Sequence, residues 1–344
     1  MLGEPADELP EGEVIRRVAF DIGSNASKCQ VADVDLQSGR IVNVLFSQEV
    51  PCSFSVDWKQ SKDGCISERM QTRGLQVLSM LCEKANELGA TESAAIATEV
   101  FRKAKNGAEY LARLKEMLGL EAFVVAQEVE ALLGYRTAAA FNSTSSNEIV
   151  CWDCGGASFQ ICREVEGALQ SYLGTLGVGV ATAACVEVLQ ERDFASTPTP
   201  NPVTKEHAVR LVRHLQAQLS SPPPWLCGSQ HVVAIGGGNS MFCLAINILE
   251  RLGMGTCSAF SQAQVWRCLE SVVDRADADL AAEYCVGELS DPAAFVVPKM
   301  ALLYAVMEHC QLPIVSFQLA TGSCAGLLVS NEWYQPRVSG GTTR

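Results

Sequence analysis

Val18-Ala19-Phe20-Asp21-Ile22-Gly23-Ser24-Asn25-Ala26-Ser27-Lys28-Cys29-Gln30-Val31 and Ile149-Val150-Cys151-Trp152-Asp153-Cys154-Gly155-Gly156-Ala157-Ser158-Phe159-Gln160-Ile161-Cys162 are two versions of one pattern. Each is an apolar strand that ends in Asp-x-Gly, turns through small residues and resumes as a second apolar strand. Small residues let the backbone turn sharply and let its N–H groups approach an anion. The aspartate beside them can hold a divalent cation or position water. Two such hairpins predict two like domains facing one phosphate-filled cleft.

The rest of the chain fits that frame. Strands are expected at 15–21, 27–35 and 40–49, then a helix at 67–88 with Met70, Leu75, Leu78, Leu81 and Leu88 on one face and Gly89 as its stop. A strand at 94–97 precedes a helix from Asn106 to Leu118. Asn106 and Glu109 have the spacing of a capping box, and Gly119 ends the helix. A strand at 122–126 and a helix at 128–141 complete the first half, and 142–147 reads as a loop. The second half repeats the opening with a hairpin at 148–164 and a strand at 168–176. Helices at 207–219, 262–273 and 298–309 and strands at 232–235 and 314–319 follow. Residues 325–329 start a final helix or strand. Alternating strands and helices in both halves give an α/β protein. We expect domains at 14–141 and 142–330, with 1–13 and 335–344 as disordered tails.

At 344 residues two domains are a reasonable expectation. The net charge of −13 argues against nucleic acid and anionic membranes as partners, so an anionic substrate needs a local basic patch and a metal ion. The basic cluster Arg102, Lys103 and Lys105 supplies such a patch. Neither apolar stretch reads as a membrane span: Val232–Leu249 holds three glycines, and Ala293–Met307 carries Pro298 and Lys299. The 15 cysteines lie mostly in apolar runs and read as reduced buried thiols, which with the absence of a signal peptide predicts a cytoplasmic protein. Cys151 and Cys154 form an isolated C-x-x-C. No histidine is placed to activate Cys154, so it is not read as a nucleophile.

Five motifs stand in order: Asp21-Ile-Gly-Ser-Asn25, Ala97-Thr98 with Arg102-x-Ala104-x-Asn106, Glu128-x-Glu130-Ala131, Asp153-x-Gly155-Gly156, and Gly237-Gly238. Alone, each is an ordinary turn, basic loop or helix face. Together they resemble the exopolyphosphatase and guanosine-pentaphosphate phosphatase family, within the actin, sugar-kinase and Hsp70 superfamily. The resemblance covers most of residues 15–330. It implies two duplicated ribonuclease-H-like (actin-like ATPase) domains with a cleft between them. It also implies a magnesium-dependent hydrolase that removes terminal phosphate from inorganic polyphosphate or guanosine pentaphosphate. By that resemblance Glu130 orients the attacking water. Gly23, Ser24, Asn25, Arg102, Gly155, Gly156, Ala157, Ser158, Gly237 and Gly238 hold phosphate, and Asp21, Asp153 and Gln160 hold Mg2+. A homodimer is left open.

The pattern also breaks. Where the family's second loop ends in Gly-Ser-Thr-Glu, this chain has Ala157-Ser158-Phe159-Gln160. Gln160 lacks the negative charge of that glutamate, which predicts weaker magnesium binding. Asn239 replaces a threonine, Val180 an arginine, and Cys324-Ala325-Gly326 an Arg-Glu-Gly. These losses keep a second reading open, a non-catalytic relative that binds a phosphate compound or a protein partner. A small-molecule kinase or nucleotide hydrolase on the same fold is a third.

Overall fold

In the computed structural model, residues 13–141, 149–197, 199–255, 258–285 and 291–336 are described. Residues 1–12 of the expected tail at 1–13, the loop at 142–147 and residues 337–344 of the expected tail at 335–344 lie outside them.

The first sheet opens with β1 (Val14–Ile22), β2 (Ala26–Asp35) and β3 (Arg40–Pro51), an antiparallel meander. Helices α1 (Phe54–Gln60) and α2 (Glu68–Glu87) lead to β4 (Glu92–Ala97), parallel to β1. Helices α3 (Glu99–Lys103) and α4 (Gly107–Leu118) lead to β5 (Ala122–Val124), parallel to β4, and α5 (Gln127–Phe141) crosses toward the second sheet.

There the meander recurs as β6 (Val150–Cys154), β7 (Phe159–Val165) and β8 (Ala168–Gly174). After α6 (Val178–Ala184) and α7 (Lys205–Gln216) comes β9 (Val232–Gly236), parallel to β6. Next are α8 (Met241–Arg251), β10 (Ala259–Ser261), α9 (Gln262–Val272), α10 (Asp277–Tyr284) and α11 (Val296–His309). Strand β11 (Ile314–Leu319) is parallel to β9 and antiparallel to β10. Helix α12 (Cys324–Leu328) and β12 (Gln335–Pro336) close the chain.

Both sheets therefore share one order: β3-β2-β1-β4-β5 in the first, β8-β7-β6-β9-β11 in the second. The duplication expected from the two hairpins extends to the whole sheet. Strand alternation explains how each sheet is covered on both faces. Val18, Phe20 and Ile22 of β1 point into one core with Leu75, Leu78 and Leu81 of α2 and Leu111 and Leu114 of α4. Ala19 points the other way, to Leu133 of α5 and Leu327 and Leu328 of α12. The chain's last helix thus packs on the first sheet rather than the second.

Two local expectations need correction. Asn106 makes no capping bond to α4. Its side chain instead accepts from Ile66 N at 2.8 Å and donates to Ile66 O at 2.9 Å, a non-local pairing that outcompetes the local one. Gln335–Pro336, expected in the loose tail, pair antiparallel with β4. The segment after Pro51, to which no element was assigned from sequence, forms the short helix α1.

Candidate active site

The carboxyl ends of β1 and β6 face one another, the place where α/β sheets present ligand sites. Strand register does the first positioning. Asp21 lies opposite Lys28 in the β1–β2 pair, and Asp153 lies opposite Gln160 in the β6–β7 pair. The two hairpins thus offer the same two positions, filled by Asp and Lys in one copy and by Asp and Gln in the other. The loops also touch. The Asn25 side chain packs so closely on Gly156 that a methyl there would overlap it.

Glu130 enters from the first turn of α5. It is 7% exposed, while Glu128, two residues earlier, faces solvent. Gln127 Nε2 donates to Phe159 O and Gly174 O, both at 3.0 Å, and ties this helix start to the second sheet. Glu130 Oε1 accepts from Arg102 Nη1 at 2.5 Å, and Arg102 also donates to Val125 O. Burial pushes the Glu130 carboxyl up to about 7, against the opposing pull of Arg102.

Asp21 is buried. Its Oδ2 accepts from Ser323 N at 3.1 Å and lies 3.6 Å from Lys28 Nζ. Burial works to lower the Lys28 ammonium, but Asp21, Glu49 and Asp153 together outweigh it and hold the group well above its ordinary value. Burial pushes Asp153 up to about 6, opposed by Lys28. Glu49 of β3 is also raised by burial. Its Oε2 is buried without a hydrogen-bond partner and presses against Gly237.

Asp21, Gly23, Ser24, Asn25, Glu130, Asp153, Gly155, Gly156, Ala157, Ser158, Gln160 and Gly237 all line one cleft. Arg102 and Gly238 are not on its wall. Arg102 is held behind Glu130, and Gly238 lines a separate small pocket beside Leu244 and Asn247. Two of the expected phosphate donors are otherwise engaged. Gly23 N donates to Ala26 O and Gly155 N to Ser158 O, both at 2.9 Å, closing their own turns. Ser24 Oγ accepts from Val100 N at 3.3 Å, which leaves its own proton to give. Gln160 Nε2 donates to Ser158 Oγ at 3.3 Å. Sequence reasoning missed Lys28, Glu49, Asp291 and Lys299 on the same wall. Lys28 could have been found, because it stands seven residues after its aspartate as Gln160 does after Asp153.

Cys154 also lines the cleft, but its thiol is pushed up by burial and then by Asp153. That is the reverse of an activated nucleophile. None of the described cysteines forms a disulfide.

Comparison with known proteins agrees with the family resemblance. Residues 31–184 match the model of the Ppx/GppA phosphatase family. Over those residues the chain is similar to that family. That match includes Arg102, Glu130 and the second Asp-x-Gly loop, and the resemblance drawn from the five motifs holds. Over the whole chain the fold agrees as well. An Aquifex aeolicus Ppx/GppA enzyme is 20% identical with a TM-score of 0.68, over 92% of this chain and 100% of that one. An exopolyphosphatase from Cytophaga hutchinsonii is 15% identical with a TM-score of 0.71, over 91% of this chain and 96% of that one. Nucleoside triphosphate hydrolases from Neospora caninum share 11% identity at a TM-score of 0.52, over 92% of both chains. At these identities the likeness is one of fold, two α/β domains of the actin-like ATPase type.

The donor set can be tested against the metal that the family implies. Among the described residues no three His, Cys, Asp or Glu side chains are grouped so as to hold a metal ion by themselves. The cleft wall instead holds five carboxylates, Asp21, Glu49, Glu130, Asp153 and Asp291, against two ammonium groups, Lys28 and Lys299. Magnesium is bound through one or two carboxylates, retained waters and substrate phosphate, so an open, acid-rich cleft of hard oxygen donors fits it. Among the described residues no helix is long and apolar enough to cross a membrane.

Proposed function

We propose that this protein is a magnesium-dependent phosphohydrolase that releases terminal phosphate from inorganic polyphosphate or guanosine pentaphosphate. The observation that carries the reading is Glu130. It is a buried carboxylate in a polar cleft between two Asp-x-Gly loops, pushed up to about 7 by burial and oriented by Arg102.

The cleft encloses a cavity of about 80 Å³. That is room for a few waters or one phosphate group, with any longer substrate reaching out of it. Lys28 and the hydroxyls of Ser24 and Ser158 hold that terminal phosphate. The free oxygen of Glu130 accepts a proton from a water as that water attacks phosphorus in line with the leaving oxygen. Arg102 fixes the other oxygen, so the accepting lone pair points into the cleft. Asp153 and Asp21 would hold magnesium through water, which would neutralise phosphate charge beside them. Phosphate release from polyphosphate and guanosine pentaphosphate, measured across a magnesium titration, tests this reading. Release that is absent at every magnesium concentration would overturn it.

One observation favours a second reading. Gln160 places a neutral amide where the family has a carboxylate: its Nε2 donates to Ser158 Oγ, and the carbonyl oxygen left for a metal carries no negative charge. A non-catalytic relative that binds a phosphate compound accounts for this. Calorimetry that finds tight binding of tripolyphosphate, with no turnover, would favour that reading. Preference for ATP over polyphosphate would favour the third reading, a kinase or nucleotide hydrolase.

A further inference from the structure

Lys299 stands in the first turn of α11, with apolar neighbours Val296, Val297, Met300 and Ala301 all buried. Its own side chain is 6% exposed. An ammonium in such a place requires counter-charge and hydrogen-bond acceptors. Two are present: Asp291 Oδ2 at 2.8 Å and Asn239 O, in the glycine turn, at 2.6 Å. An ammonium carries three donors, so these partners leave one.

Its position relative to the reacting centre is informative. Lys299 lines the same cleft as Asp153 and Gly237, and its charge acts on Glu49 and Cys154. Arg102 is engaged by Glu130 and Val125 instead. The cleft wall therefore carries Lys28 beside Asp21 and Lys299 at the glycine turn, while Arg102 stands behind Glu130. A substrate with a single phosphate needs only the ground around Glu130. A phosphoanhydride chain places further charge along the cleft wall, where five carboxylates would otherwise repel it.

We propose that Lys299 binds an internal phosphate of a phosphoanhydride chain, and that Asp291 is its counter-ion while the cleft is empty. This deepens the phosphohydrolase reading and rests on it for the direction of the chain. Lys299 is thereby a substrate-binding cation in a chain where Val180 and Cys324 stand at two positions that hold arginine in the resembled family. Asp291 competes with substrate for it, so the pair sets affinity for chains rather than for single phosphates.

The test uses the full chain, calorimetry with magnesium tripolyphosphate and with inorganic phosphate, and thermal melts of each variant. Lys299→Met should weaken tripolyphosphate binding about 10- to 100-fold while inorganic phosphate changes by less than about threefold. Asp291→Asn should tighten tripolyphosphate about three- to tenfold, because the competing carboxylate is gone. That opposite sign keeps the test decisive if Lys299→Met folds poorly. Unchanged tripolyphosphate affinity in folded Lys299→Met, or weaker binding in Asp291→Asn, would show that the pair only pins the glycine turn, and would overturn the proposal. The binding pattern with no turnover in any protein would uphold Lys299 and count against hydrolysis alone.

Discussion

Glu130 is buried with one oxygen on Arg102, and its carboxyl is pushed up to about 7. A base must be ionised to accept a proton, so turnover should rise with pH and level off above about 7, falling about tenfold per unit below it. A pH–rate profile checks this. A profile that is flat from pH 5 to 8 would contradict the role. Gln160→Glu restores a carboxylate opposite Asp153, itself already pushed up to about 6. Without metal the added charge should lower the melting temperature. With magnesium it should tighten metal binding at least about tenfold, measured by calorimetry. Cys154→Ser should leave turnover within about threefold, because the thiol is held protonated. At this scale the aspartates and Glu130 were legible because Asp-x-Gly and Glu-x-Glu are local patterns. Lys28 was legible only as the counterpart of Gln160 in the first hairpin, and Lys299 was not legible. A lysine in a strand or an apolar helix reads as a lone charge until carboxylates from other elements are seen around it.

Elements hold these side chains in place through close backbone approach. Gly177, just ahead of α6, lies against the backbone of Gly156 and Ala157, and a Cβ there would overlap rigid main-chain atoms. Gly177→Ala should therefore destabilise by about 2 kcal/mol or more and displace the second phosphate loop. Urea unfolding and magnesium affinity would show both effects, and an unchanged midpoint would refute the contact. Gly326 is similar. Its N–H donates to Thr137 Oγ1 at 2.8 Å, and a methyl would collide with Leu133 O, where α12 crosses α5. The two hairpins and the helices ending at Gly89 and Gly119 could be read from sequence because period, turn and stop all lie within a few residues. The capping role expected of Asn106 failed for the opposite reason, since its partner is Ile66, forty positions away. The docking of α12 on the first sheet is likewise a long-range packing choice that no local signal carries.

Across the whole molecule, two like sheets enclose a cleft richer in carboxylates than in cations. Glu130 and Asp153 have folded values above their ordinary 4.5 and 3.8. Their stabilising contribution is complete below those ordinary values and is lost as pH rises through about 6 to 7. Without metal the protein should melt at a lower temperature at pH 8 than at pH 5. Magnesium should recover more of that loss at pH 8, where the carboxylates are ionised. Scanning calorimetry at both pH values checks the sign. The central claim is that this cleft hydrolyses a terminal phosphoanhydride with Glu130 as the water-orienting base. Its most direct test is phosphate release from magnesium polyphosphate by the wild-type protein and Glu130→Gln side by side. The account predicts wild-type release that falls at least about 100-fold in the variant, with polyphosphate affinity within a few-fold. Equal rates in the two proteins would contradict it.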